Sequence, residues 1–547
     1  MNGLVSERME FWAKQTPDKP ALKIPRLKSE LNYSYEEISF GRLQEMIEQI
    51  QNHLQELGVH KAERVLVFVK PGRYLAALTF ALFRIGAVPV FIDPGMGKKN
   101  LLTCIEKVNP TTLIAEPIVH LIKMITLLLG KKTFRSIKRS IKTEGLFPFF
   151  TPSLKDFIKT KPKPVVTHEK PEAHDLAAIL FTSGGTGTPK GVQYDHSLFQ
   201  TQTELLQKMF SLNSTEIDCP GFPLFSLFTM SMGMTSIIPD MNASKPSKAN
   251  PQKLIQNIQD QKVSFVAGSP AIWEPVADYC LKHGLTLPTL KYVVMFGAPV
   301  SLAIHRKFSQ VLPSGTTYTP YGATEALPIS LVDGKTLLAN YSDKMEQGLG
   351  TCLGKPVSGV SLKIIPISDE VTSCLEAVPP LTIGEIIVRG EMVTKAYDQN
   401  PQATKLAKIY DEQSFWHRMG DIGYLDHEGV LWFCGRLGHR VSHHGKLMSS
   451  IQCEAIFNQH PEVKRTALVG IGSAPNQTPA IIIELKAQAT SDRETLKKEL
   501  REMALKFEHT KDIEKFFFKE SFPVDVRHNI KIDRLKLKAE VEQGRLL

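Results

Sequence analysis

The sequence predicts a two-part α/β protein: a large N-terminal α/β domain with parallel sheets and a β-rich part, then a small C-terminal α+β domain joined to it by a hinge. Strand, helix and strand patterns alternate at crossover spacing through the first half. Beyond about residue 330 the texture turns to short strands bounded by glycines. The chain has 547 residues, more than one hydrophobic core usually organises.

Arg64-Val-Leu-Val-Phe-Val69 reads as a buried strand, Tyr74 to Ile85 as an apolar helix and Ala87-Val-Pro-Val-Phe-Ile92 as the next strand. Such a unit implies a parallel crossover. Similar runs at Leu176 to Phe181, Val263 to Ala267 and Tyr292 to Phe296 lead into Gly or Ser, as at the strand ends where α/β ligand sites form. Gly384-Glu-Ile-Ile-Val-Arg-Gly390 reads as a strand, and Tyr424 to Phe433 as a hairpin turning at Asp426-His-Glu-Gly429. After Gly435-Arg436 come strands at Thr466 to Ile471, Ala480 to Leu485 and Phe516 to Phe522, with a charged helix at Asp492 to Lys506. The boundary falls near 436–440 and divides the chain into 1–436 and 437–547. No Pro/Ser-rich linker is present there, so the joint is expected to be a compact hinge.

Composition is that of an ordinary globular protein, with 42% hydrophobic and 22% charged residues, and no fixed-period repeat is found. The first twenty residues are charged rather than of signal-peptide type, and no run reaches the ~20 apolar residues that span a bilayer. A cytoplasmic protein is expected. The seven cysteines form no CxxC pair, so buried reduced thiols are expected, rather than a zinc site or a disulfide framework. The net charge of +10 fits an anionic partner: nucleic acid, membrane surface or nucleotide. Ile118 to Leu129 is apolar, and Lys131, Lys132, Arg135, Lys138, Arg139 and Lys142 follow with no acid among them. This 118–142 pattern fits a peripheral segment on the inner face of an anionic membrane, and equally a buried helix with a solvated basic face. The stretch 131–142 contains only Phe134 as an aromatic, so nucleic acid is set aside.

The strongest motif is Thr182, Ser183, Gly184, Gly185, Thr186, Gly187, Thr188, Pro189, Lys190 and Gly191, directly after the strand at Leu176 to Phe181. Its glycines free backbone N–H groups, and its hydroxyls and lysine add donors and charge, as phosphate oxygens require. It is not the ordinary P-loop, because Lys190 stands between Pro189 and Gly191. Gly95-Met-Gly97 is better read as a turn, since Asn100 replaces the third glycine of a dinucleotide motif. In Tyr321, Gly322, Ala323, Thr324 and Glu325, the glutamate is a hard oxygen ligand suited to Mg²⁺ and the threonine a phosphate donor. Gly297, Ala298 and Pro299 follow a strand and can lay backbone against a flat base. Asp421 in Met419-Gly-Asp421 offers a carboxylate to two ribose hydroxyls, although alone it reads as a turn residue. Arg436 and Lys531 flank the start and end of the small domain.

Together, in order and approximate spacing, these motifs resemble the adenylate-forming superfamily of acyl-CoA synthetases, peptide-synthetase adenylation domains and luciferases. The resemblance implies that Thr182 to Lys190 bind the β- and γ-phosphates, that Gly297, Ala298 and Pro299 line the adenine site and that Tyr321 stacks on the base. It implies that Thr324 contacts the α-phosphate, that Glu325 holds Mg²⁺, that Asp421 and Arg436 hold the ribose, and that Lys531 bridges the carboxylate and the α-phosphate. Such a cation, placed where charge builds up, is typically worth on the order of 10²–10³ in rate. Lys531 rides on the small domain and must swing onto the site.

There are departures from the family pattern. Gly185 stands where the family usually has Ser, Ser226 follows Pro223-Leu-Phe225 where it often has His, and Gly438 stands at the hinge in place of Asp or Lys. Arg440-Val-Ser-His-His-Gly-Lys-Leu-Met448 keeps only a trace of the region that admits CoA. With Phe222 to Phe228, Ile237 to Met241, Thr319 to Pro328 and Trp416 to Asp421, the chain looks most like the β-lactone synthetases of bacterial long-chain olefin biosynthesis. The resemblance implies ATP and Mg²⁺, a 2-alkyl-3-hydroxy fatty acid, lactone closure by the acid's own hydroxyl, and a candidate assembly with pathway enzymes. A long-chain fatty-acid–CoA ligase, with CoA as co-substrate, is the alternative. A catalytically weak, membrane-associated nucleotide binder is a remote third.

Overall fold

The structure, a computed structural model, describes residues 3–160, 169–182, 189–525 and 531–546. The expected α/β architecture is present. A six-stranded sheet holds the crossover unit, with Arg64–Phe68 pairing in parallel with Val88–Phe91 on one side and Thr112–Ala115 on the other. Leu176–Thr182 extends it in parallel, and Lys190–Asp195 folds back antiparallel as its edge. A fourteen-stranded mixed sheet carries the second parallel set, Phe265–Gly268, Tyr292–Met295 and Thr316–Ala323. The β-rich part, Thr351 to Arg436, continues this same sheet instead of forming a separate body.

The largest core lies between the two sheets. Helices Phe40–Glu56 and Arg73–Ile85 fill it, joined by Leu22 from the large sheet and Val65 and Val67 from the smaller one. The run at Tyr74 to Ile85 is apolar on nearly every side because it is buried on nearly every side. Helix Arg73–Ile85 stops at Gly86, whose φ of +74° is the left-handed cap that a residue with a Cβ resists.

After Leu431–Arg436, the last strand of the large sheet, a 3₁₀ turn at Leu437–His439 leads to a two-stranded hairpin, Val441–His443 and Lys446–Met448. A three-stranded sheet of Val463–Ile471, Thr478–Leu485 and Lys515–Phe518 follows, with helix Arg493–Leu505 capped by Asp492. The strand expected at Phe516 to Phe522 ends at Phe518, and Phe522 N–H instead donates to the buried Glu484 carboxylate at 2.8 Å. The basic stretch at 131–142 is also not one solvated face. Arg139–Lys142 is a parallel strand, Arg139 pairs with buried Glu63, and Lys142 is buried against the Leu146 and Pro148 carbonyls. Gly95 lies in a short 3₁₀ turn, Pro94–Met96. Six cysteines are buried thiols, while Cys374 is only half-buried. No helix among the described residues is long and apolar enough to cross a membrane.

A buried ion pair pins the β-rich part. Arg418 donates to both carboxylate oxygens of Glu385, at 2.9 and 2.6 Å, and to the carbonyls of Glu370, Leu406 and Ser368. Removing one charge of such a pair strands the other in low dielectric, at about 3–5 kcal/mol. We therefore expect Glu385→Ala to lower the denaturation midpoint sharply, by about that free energy. Arg418→Met/Glu385→Leu should recover most of it, as read by urea titration of tryptophan fluorescence.

Candidate active site

The strands Thr316–Ala323 and Ala326–Asp333 form an antiparallel hairpin whose two-residue turn is Thr324-Glu325. A register shift between Tyr321 and Ala323 tightens its end. A Cβ on Gly322 would stand 2.4 Å from the Ala326 carbonyl oxygen, so the position requires glycine. Both turn carbonyls are gripped from outside. The Tyr194 hydroxyl donates to the Thr324 carbonyl at 2.6 Å. Thr394 donates to the Glu325 carbonyl through its N–H at 2.9 Å and its hydroxyl at 3.1 Å.

Glu325 Oε1 accepts from the Tyr397 hydroxyl at 2.9 Å, while Oε2 has no hydrogen-bond partner among the described residues. Burial and the adjacent Glu325 carboxylate push the Tyr397 phenol above its ordinary range, which keeps it a donor. Lys190 Nζ sits 4.7 Å from the centroid of the Tyr397 ring. Lys190 begins its strand directly opposite Thr182, so the two ends of the Gly/Thr-rich segment meet beside Tyr397. Ser183, Gly184, Gly185, Thr186, Gly187 and Thr188 lie outside the described residues.

A second group faces the first. Asp421 and Arg436 are cross-strand partners, with Arg436 Nη1 3.0 Å from Asp421 Oδ1. The Tyr321 hydroxyl donates to Asp421 Oδ2 at 2.6 Å, although three strands stand between theirs in the sheet order, so the sheet curls back on itself. Desolvation raises the Asp421 carboxyl, and the Arg436 charge and the Tyr321 bond oppose it. Asp421 in turn raises the Arg436 guanidinium. The Asp421 side chain is 4% exposed and that of Arg436 45%, so the pair opens to solvent on the arginine side. Asp421 Oδ1 is buried, with Arg436 Nη1 as its partner in the ion pair. The Glu325 charge acts on both Asp421 and Arg436, which makes one electrostatic site of the two groups.

Gly297, Ala298 and Pro299 follow the strand Tyr292–Met295, which runs parallel to Thr316–Ala323 with Val294 opposite Tyr318. Gly297 and Ala298 form the bend just past the end of that strand, with Gly297 at φ +86°. Tyr321 also meets the Phe433 ring at 6.2 Å. Lys531 lies apart from these, in the C-terminal region. Its N–H donates to Asp525 Oδ1 at 2.8 Å, and its carbonyl accepts from Asp525 N–H at 3.0 Å. Nearby, Arg534 grips both oxygens of Glu454. Burial, aided by the charges of Arg534 and Arg436, pushes the His439 imidazole down to about 4, so the foot of the Lys531 segment and Arg436 share a neighbourhood.

Sequence reasoning missed Tyr194, Tyr397 and a buried lysine. Lys408 donates to the Thr394 carbonyl, behind the clamp on Glu325, and lies 4.6 Å from the centre of the Phe415 ring. Desolvation lowers its amine to about 7, with Glu325 opposing. Buried His417 is held neutral by desolvation and by the Lys408 charge.

The strand pair that flanks the Gly/Thr-rich segment, the clamped Thr-Glu turn and the buried Asp–Arg pair are all joined to the parallel sheets. The sequence profile of AMP-binding enzymes matches residues 9–398, and the chain belongs to this family of acyl-adenylate-forming ligases. It is 36% identical to the olefin beta-lactone synthetase of Xanthomonas campestris pv. campestris, covering 98% of this chain and 96% of that protein. It is 35% identical to that of Stenotrophomonas maltophilia, covering 97% of each. Among solved structures, the O-succinylbenzoate Coenzyme A synthetase MenE of Bacillus subtilis, in complex with ATP and magnesium ion, matches with a TM-score of 0.75 at 18% identity, covering 97% of this chain and 99% of that one.

Lys408 gives the large region a pH signature. Its folded value of about 7 lies below its ordinary 10.5, so between these the unfolded chain binds more protons and stability rises with pH. Below about 7 the full desolvation penalty is present. The expected slope is about 1.4 kcal/mol per pH unit at most. Urea midpoints of wild type and Lys408→Met across this window test it: the difference between them should change with pH, and parallel curves would refute the assignment.

Proposed function

We propose that the chain activates a long-chain 2-alkyl-3-hydroxy fatty acid with ATP, and that the acid's own 3-hydroxyl then closes a β-lactone and releases AMP. The near full-length similarity to two olefin beta-lactone synthetases is the observation that carries this product. In the first step a carboxylate oxygen attacks the α-phosphorus, and the bond to pyrophosphate breaks. In the second the 3-hydroxyl oxygen bonds to the acyl carbon, the acyl–phosphate C–O bond breaks, and the hydroxyl proton leaves to solvent.

We infer the roles from the family resemblance and from where the residues lie. Thr182 and Lys190 bracket the segment that would take the β- and γ-phosphates. Gly297, Ala298 and Pro299 would back the adenine beside Tyr321. Gly322 and Ala323 shape the turn from which Thr324 would reach the α-phosphate. The buried Asp421 carboxylate, held by Arg436 and Tyr321, would accept from a ribose hydroxyl, and the half-exposed Arg436 suits a second contact. Glu325 Oε2, without a hydrogen-bond partner among the described residues, is a hard oxygen of the kind Mg²⁺ takes alongside phosphates. Bound there, Mg²⁺ would neutralise charge on the phosphates. We place the domain boundary at Arg436, with 437–547 as the mobile part that brings Lys531 to the carboxylate.

Ser226 supports an apolar substrate. Its hydroxyl donates to the Pro223 carbonyl at 2.7 Å, so it presents little polarity to the small void it lines with Leu22, Gly72, Leu75, Leu227 and Ile238. The second reading, a long-chain fatty-acid–CoA ligase, is favoured by the fold shared with a Coenzyme A synthetase.

Product mass separates the two. With ATP, Mg²⁺ and a 2-alkyl-3-hydroxy fatty acid, we expect loss of one water from the lipid and release of AMP, unaffected by CoA. A thioester formed only with CoA would move the chain to the ligases.

Two variants divide the site. Lys531→Ala should lower adenylation by about 10²–10³ while ATP binding persists. Tyr397→Phe should weaken Mg²⁺ activation by about 10–100-fold by releasing Glu325. Full turnover by Lys531→Ala would exclude its placement at the reacting atoms.

A further inference from the structure

The helix Pro117–Leu128 presents an apolar face to solvent. Ile118, Ile122, Ile125 and Leu129 recur at the spacing of one helix face and are all exposed, Leu129 to 69%. The opposite side is tied down: His120 and Thr126 are buried, and the Lys123 amine donates to Ser140 Oγ at 2.7 Å. The loop after Lys142 adds to the same surface. Gly145 stands against Pro117, and the Lys142 amine donates to the Leu146 and Pro148 carbonyls. Held so, the loop turns outward Leu146 at 83% exposure, Phe149 at 69% and a fully exposed Phe150. Contiguous exposed apolar surface of this kind marks an interaction site rather than ordinary scatter.

Its rim is basic. Lys131, Lys132, Arg135 and Lys138 follow the helix, all are exposed, and none is in an ion pair among the described residues. The adjacent acids are occupied: Glu116 accepts from Lys70 N–H at 3.1 Å and from the Thr143 hydroxyl at 3.0 Å, and Glu144 accepts from the Tyr74 hydroxyl at 3.2 Å. A second copy would bring these cations against their own kind, in a chain of net charge +10. An anionic bilayer meets both features, taking the aliphatic and phenyl groups into the acyl boundary and the cations against its headgroups. Twelve helical residues are too few to span a bilayer and enough to lie in its plane.

We propose that the helix Pro117–Leu128, the loop 145–150 and their lysine/arginine rim dock the enzyme on an anionic lipid surface. The position of this patch gives the docking a purpose. The segment Val69 to Tyr74 is bonded to it through Lys70–Glu116 and Tyr74–Glu144, and Pro71 and Gly72 of that segment line the apolar cavity beside Ser226. Docking would set this segment, one wall of a small apolar void, next to the membrane, where a long-chain acid partitions. This delivery role rests on the proposed lipid substrate; the docking does not.

The test is co-sedimentation of the full chain with vesicles of 30% phosphatidylglycerol in phosphatidylcholine, against phosphatidylcholine alone, across salt concentrations. Binding is expected to the anionic vesicles and to fall with salt. It should drop on the order of 10²-fold in Lys131→Glu/Lys132→Glu/Arg135→Glu, and at least tenfold in Ile122→Glu/Ile125→Glu and in Phe149→Ser/Phe150→Ser. These exposed positions tolerate such changes, and thermal melts check that each variant is folded. Adenylation of a short, freely soluble acid should be unchanged, and turnover of acid presented in vesicles should fall. Failure to bind anionic vesicles, or binding unaffected by the substitutions, overturns the proposal. So does a dimer in light scattering that the same substitutions disperse without any vesicle binding, since a second copy would then be the occupant. Vesicle binding with no turnover of any hydroxy acid upholds the docking and overturns the lipid substrate alone.

Discussion

The carbonyl oxygens of Thr324 and Glu325, at the tip of one hairpin, are held by hydroxyls from two distant parts of the chain, and the geometry of the site hangs on that clamp. A two-residue turn is mobile when its carbonyls face only water. Here Tyr194 fixes one carbonyl and Thr394 the other, and buried Lys408 in turn fixes Thr394. Tyr194 belongs to the strand that begins at Lys190, so the lysine of the Gly/Thr-rich segment and the Thr-Glu turn are positioned by one stretch of backbone. Tyr397 closes the arrangement by touching both, with its hydroxyl on Glu325 and its ring under Lys190. Preorganised groups need not rearrange as charge moves between phosphates, which is where electrostatic catalysis gains most.

Two buried arginine–carboxylate pairs show how saturation separates support from function. Arg418 and Glu385 are both almost wholly enclosed, and Arg418 donates to three further carbonyls, so the pair has little left to offer a ligand. Asp421 is equally enclosed, but its partner Arg436 is half exposed. A half-exposed guanidinium keeps donors facing solvent, so the second pair has contacts left to offer where the first is a brace.

Much of this was legible in the sequence because it is local. The crossover unit at Arg64 to Ile92 and the hairpin at Tyr424 to Phe433 follow from apolar period, length and turn chemistry alone. Glu325, Asp421 and Arg436 were legible only jointly, since the fold brings together residues about a hundred positions apart. Tyr397 and Lys408 were not legible, because a lone tyrosine before an Asn-Pro turn and a lysine in Lys405-Leu-Ala-Lys408 carry no periodic signal. Their importance comes from burial and from what they face. The curl that brings Tyr321 to Asp421 is likewise a property of the whole sheet. The basic stretch misled in the other direction: charge alone does not reveal that Arg139 and Lys142 turn inward while Lys131, Lys132 and Arg135 remain outside.

The chemistry proposed for the second step places few demands on the protein beyond these. A hydroxyl two carbons from the activated carboxyl is tethered to it, so no second large substrate has to be admitted. What must be supplied is protection of the adenylate from water while the chain folds on itself to bring the 3-hydroxyl to the carbonyl. The void walled by Leu22, Leu75, Leu227 and Ile238 is small and apolar, and with the Ser226 hydroxyl satisfied internally it offers little to a polar acceptor. A substrate carrying two long chains is itself reluctant to cross water. Under the proposed docking, the exposed apolar helix would answer the corresponding problem on the outside: lipid would come from lipid, and the nucleotide would be the reactant that arrives through water.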